Sequence, residues 1–98
     1  MEKRTPHARL SRVKALVRAG NVRTTYSALA GAASLGLGYQ ELVQVVFSLT
    51  AKDFYKSMTT YKDHRIWQDV YRPRVGSVDV YIKLTVIEDV LIVSFKEL

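Results

Sequence analysis

The 98-residue chain contains no cysteine, which excludes a disulfide framework and a thiolate metal site. Its two histidines, His7 and His64, do not make a zinc site by themselves. No apolar run approaches the ~20 residues that a membrane-spanning helix needs. The opening stretch, Met1 to Arg9, is charged and lacks the apolar segment of a signal peptide. The expected location is therefore the cytoplasm, a reducing compartment. Internal repeats, low-complexity tracts, a Gly-rich phosphate loop and a nucleophile elbow are also missing. Acidic residues are scarce, nine against fifteen Lys and Arg. The resulting net charge of +6 and pI near 9.8 favour polyanionic partners or an acidic protein partner. The length fits one small domain over residues 1–98 with a single core.

What is present divides into a helical first half and a strand-rich second half. Thr5 followed by Pro6 reads as a helix N-cap and first-turn proline, with Leu10, Val13, Leu16 and Val17 at helical spacing and Gly20 as the stop. The other side of this helix carries Arg9, Arg12, Lys14 and Arg18, a phosphate-holding stripe or simply a solvated face. Val22 and Arg23 read as a brief extended link. A second helix is expected over Ser27 to Leu35 with Thr24 and Thr25 as caps, and a third over Tyr39 to Leu49 with a core stripe of Leu42, Val45, Val46 and Leu49. Thr50 and Asp53 have capping-box spacing.

Four runs beyond Asp53 have strand character, rich in aromatic and β-branched residues. In Val78 to Ile87, alternation turns Val78, Val80, Ile82, Leu84 and Val86 one way, and Asp79, Tyr81, Lys83 and Thr85 the other. In Val90 to Lys96 the apolar row is Leu91, Val93 and Phe95, leaving Val90, Ile92, Ser94 and Lys96 opposite. Gln68, Val70, Arg72 and Arg74 share one face of Ile66 to Arg74, and Phe54, Lys56, Met58 and Thr60 one face of Phe54 to Thr60. The inward face of these two runs stays open on pattern alone. Short links at Tyr61 to Arg65, Gly76 and Ser77, and Glu88 and Asp89 imply hairpins. The expected fold class is α+β in two layers, helices on an antiparallel meander. One sheet face would collect Lys56, Gln68, Arg72, Tyr81 and Lys96.

Four strings carry a resemblance to a known family: MEKRTPH from Met1, FYKSMTTY from Phe54, IWQDVYRPR from Ile66 and TVIEDVLIVSFK from Thr85. Together they closely resemble the MqsR toxins, collinearly over the full chain and most strongly from Asp53 onward. Ser27 to Leu49 agrees mainly in spacing, and Glu88 stands where a histidine is expected. The resemblance implies a RelE-like fold and a ribosome-independent mRNA interferase that cleaves at GC-containing triplets. It implies no cofactor or metal in this chain, an mRNA substrate, and neutralisation by an MqsA-like zinc-binding antitoxin. The family's functional positions fall on Lys56, Gln68, Tyr81 and Lys96, with Met58 and Arg72 in support.

Residue chemistry is compatible with that implication. Metal-free RNA cleavage requires a base for the 2′-hydroxyl, cations for the crowded phosphorane and an acid for the leaving 5′-oxygen. Lysine has an ordinary pKa of about 10.4, so a lysine base must be pushed down by neighbouring cations or desolvation. On this reading Lys56 or Lys96 is the base, Arg72 a phosphate clamp, Tyr81 an acid or orienting hydroxyl, Gln68 a hydrogen bonder, and Met58 a base contact. Pattern alone allows plainer roles: edge-strand charges for the lysines, cross-strand packing for Tyr81, a solvated position for Gln68 and gap filling for Met58. The competing functions are a non-catalytic RNA- or DNA-binding module and a protein-interaction subunit.

Overall fold

Helical periodicity becomes structure where the sequence supplies both an apolar stripe and a cap. The computed structural model describes residues 1–98. Helix α1 spans Leu10–Arg18, α2 spans Tyr26–Ser34 and α3 spans Tyr39–Phe47. Thr25 caps α2 as expected, its hydroxyl accepting from the Ala28 amide at 3.0 Å. The Thr50–Asp53 box also forms, with the Thr50 amide donating to the Asp53 carboxylate at 2.8 Å, and closes a 3₁₀ turn over Ala51–Asp53.

The first helix departs from expectation: Arg9, not Thr5, is its N-cap. A buried carboxylate explains the late start. Asp69 accepts the backbone amides of His7 at 2.9 Å and Ala8 at 3.0 Å, holding this segment across the sheet before the helix begins. His7 is therefore not in a helical turn, and its ring stacks on Trp67 with centroids 5.5 Å apart.

Seven strands follow the chain: β1 (Glu2–Lys3), β2 (Val22–Thr24), β3 (Phe54–Thr59), β4 (Trp67–Tyr71), β5 (Arg74–Val75), β6 (Val78–Val86) and β7 (Val90–Glu97). The sheet runs β1-β3-β4-β6-β7-β2, with β5 paired to β6. The α+β layering is as expected, but the sheet is mixed. Val22 and Arg23, read as a link, form a strand with Thr24, read as a possible cap, that pairs in parallel with Val90 to Ile92 and supplies one edge. At the other edge Glu2 and Lys3 cover Met58 and Ser57, so β3 is not the open edge its position suggested.

Helices pack on one sheet face. Val13, Ala28, Ala32, Leu42, Val46 and Leu49 meet Tyr71, Val80, Ile82, Leu84, Val90, Ile92 and Phe95 in one buried cluster. The layers are close at α2, where a Cβ on Gly31 would lie 1.8 Å from the Phe95 carbonyl oxygen. Alternation in β6 is as expected through Leu84, but Thr85, expected outward, is buried as well. In β7 it fails: Val90 and Ile92 are buried, and so is Phe95. A register shift opposite Lys83 and Leu84 inserts one extra residue, so that Leu84 faces Ile92 while Lys83 faces Ser94. Leu91 and Val93 are thus not an inward row with Phe95. Lys96 does point outward, but because of the bulge and not because it shares a phase with Val90.

Candidate active site

The uncovered face is assembled in three rows by strand register. Met58 pairs with Gln68 in the first. Lys56, Val70, Lys83 and Ser94 follow one another across β3, β4, β6 and β7 in the second. Tyr81 and Lys96 pair in the third. Neighbouring strands lie about 4.8 Å apart and rows on one face about 6.8 Å apart, so these side chains form one contiguous patch. Arg72, just past the end of β4, completes its rim; its backbone amide donates to the Asp53 carbonyl at 2.7 Å. All six residues singled out from the sequence therefore share one face.

Two features fix their positions. A register shift between Phe54 and Lys56 leaves Tyr55 outside the regular β3–β4 pairing. Its ring receives the Arg72 guanidinium at 4.4 Å, with the Lys56 ammonium at 5.4 Å. In the second row Val70 is fully buried although it lies on the outer face. Its register partners are Lys56 and Lys83, whose aliphatic stems can cover it while their ammonium groups reach water.

The charges are uneven. Lys56 donates to Glu2 at 3.1 Å, and this bond is the main reason the Glu2 carboxyl lies below its ordinary range. Lys83 and Lys96 form no ion pair. Their ammonium groups lie 5.9 and 5.1 Å from the Tyr81 ring centroid. Burial pushes the Tyr81 phenol up, against the opposing pull of Lys56. Burial also pushes Lys83 down, helped by repulsion first from Lys96 and then from Lys56. A depressed lysine was expected on this face, but the residue carrying it was not singled out. Alternation had already turned Lys83 outward beside Tyr81, and that was its only signal.

The face holds proton carriers and cations. The chain has no group of three or more His, Asp or Glu placed to hold a metal ion. The arrangement suits general acid–base chemistry on a phosphodiester, with ammonium and guanidinium groups to neutralise charge and a phenol that stays protonated near neutral pH.

Comparison with known proteins fits this geometry. Residues 5–97 match the family described as "Motility quorum-sensing regulator, toxin of MqsA". The mRNA interferase toxin MqsR of Escherichia coli (strain K12) is 66% identical over 97 residues, covering 99% of each chain.

Proposed function

The chain belongs to the MqsR toxin family, and from that membership we infer that it is the toxin of a toxin–antitoxin pair and an mRNA endoribonuclease. It cleaves without a metal ion or the ribosome, at GC-containing triplets, in the cytoplasm. The observation that carries this reading is the convergence of Lys56, Gln68, Tyr81 and Lys96 on one uncovered sheet face. Lys56, Lys96 and Arg72 neutralise the phosphorane, Tyr81 donates a proton or orients the phosphate, Gln68 hydrogen-bonds the RNA and Met58 packs against a base. Among the six residues the sequence singled out, Lys56 and Lys96 are the candidates for the proton-accepting lysine. Residues 1–98 act as one toxin domain.

Incubating the protein with a long RNA in EDTA and mapping the ends tests this reading. We expect 2′,3′-cyclic phosphate or 3′-phosphate ends facing 5′-hydroxyls. Lys56→Ala and Lys96→Ala should each slow cleavage by about 10²- to 10⁴-fold while RNA affinity falls modestly. Salt-sensitive binding without cleavage would instead identify a binding module.

The partner on this reading is an MqsA-type antitoxin that carries its own zinc. It docks at the β1–β3 edge and the neighbouring Tyr61–Arg65 loop, where Tyr61 is 97% exposed. Backbone pairing along an edge supplies affinity at little structural cost. Hydrogen exchange should show new protection there on complex formation. Protection confined to α1 would defeat edge docking and leave the nuclease reading intact.

A further inference from the structure

We propose that Lys83 is the group that removes the proton from the attacking 2′-hydroxyl, acting from the centre of the face, in the row it shares with Lys56 and beside the row that holds Lys96. The inference rests on the nuclease reading of this same face.

Position is the first argument. Lys83 is flanked in register by Val70 on β4 and Ser94 on β7, and on its own strand by Tyr81 and Thr85. The charged and titratable groups facing this region are Lys56 and Tyr55 from β3, Arg72 beyond β4, Tyr81 from β6 and Lys96 from β7. Glu2 is the nearby carboxylate, and Lys56 already holds it at 3.1 Å. Lys83 is therefore half-buried among cations and a neutral phenol, with no anion of its own. These surroundings favour the free amine, and burial is their largest effect. Lys56 and Lys96 then have a second use: each helps to lower the proton affinity of Lys83 while binding the phosphate.

The step balances without an outside reagent. The Lys83 amine takes the 2′-hydroxyl proton and becomes an ammonium. The 2′-oxygen bonds to the adjacent phosphorus and the bond from phosphorus to the 5′-oxygen breaks. That oxygen leaves with the Tyr81 phenolic proton, giving a 2′,3′-cyclic phosphate and a 5′-hydroxyl. Water then returns both groups to their starting protonation states.

The test separates a base from a mere positive charge. Single-turnover cleavage of an end-labelled RNA in EDTA is followed against pH for the wild type, Lys83→Arg and Lys83→Cys. Arginine keeps the charge but does not deprotonate. Lys83→Arg should therefore slow cleavage by about 10²- to 10⁴-fold and lose the alkaline rise of the rate. Its binding to an uncleavable RNA, 2′-deoxy at the scissile nucleotide, should stay near that of the wild type. The chain has no cysteine, so Lys83→Cys carries a unique thiol. Alkylating it to the S-aminoethyl form restores a primary amine, and should restore cleavage and the alkaline rise together. If Lys83→Arg proves unstable on melting, the Lys83→Cys protein before and after alkylation gives the answer alone. Cleavage by Lys83→Arg within about threefold of wild type with an unchanged pH profile would overturn the proposal. So would failure of the alkylated protein to regain activity. A wild type that cleaves no RNA would overturn the nuclease reading itself, a different result.

Discussion

The two faces of the sheet share every backbone atom yet carry opposite chemistry. Ile82, Leu84, Ile92 and Phe95 are buried against the helices, whereas Tyr81, Lys83, Ser94 and Lys96, their immediate neighbours in the chain, are half-buried or exposed. Only the alternation of side chains separates a core from a lysine-rich outer surface. Stability should therefore reside on one face and activity on the other. Lys83 and Lys96, gathered without an ion-pair partner, are costly to bring together, and the packing behind them can offset that cost.

Replacing Leu84 by Ala should cost about 2–5 kcal/mol of stability in denaturant unfolding, since the side chain is fully buried. Lys96→Ala, on the same sheet facing outward, should leave the midpoint within ~0.5 kcal/mol of wild type while reducing cleavage. Equal destabilisation by both would break the division between the faces. A middle case is Asp69, a charged residue on the inner face. Asp69→Ala removes a carboxylate that accepts two backbone amides, and should cost about 2–3 kcal/mol. Its marker is faster hydrogen exchange at His7 and Ala8, and unchanged exchange there would show that the amides have other partners.

The smallest effect sharpens the comparison through pH. The Tyr71 hydroxyl is buried without a hydrogen-bond partner, and its pKa is pushed up to about 12, by burial first and then by Asp69 and Asp53. Folding keeps the phenol neutral where the unfolded chain, with an ordinary value of about 10, would ionise. Stability should thus fall as pH rises from about 10 to about 12. Tyr71→Phe should remove this loss and change stability at neutral pH by less than ~1 kcal/mol. Melting curves across that window check the sign, and an alkaline loss that persists in the variant would place its origin elsewhere.

Much of this division was legible in the sequence, for identifiable reasons. Thr25 and the Thr50–Asp53 box announce helical starts through local chemistry, and β6 alternates without interruption over residues 78–84. Local chemistry misled at Thr5 and Pro6, where the carboxylate of Asp69, distant in sequence, takes the amides that a helix cap would have organised. The parallel edge at Val22–Thr24 was invisible, because three residues acquire strand geometry only from a partner near the other end of the chain. Lys83 was visible as an outward residue. Its reduced proton affinity was not, since that belongs to neighbours gathered from several strands.

The bulge in β7 has a consequence for inheritance. Loss of the single codon for Val93 would leave every functional side chain encoded and the composition almost unchanged. The strand would then alternate without interruption, with Val90, Ile92 and Phe95 inward and Ser94 and Lys96 still outward, so the loss removes the bulge and keeps the face. One codon inserted between Phe95 and Lys96 would do the reverse, turning Lys96 inward without touching a functional residue, and sequence comparison confined to those residues would still score the gene as intact.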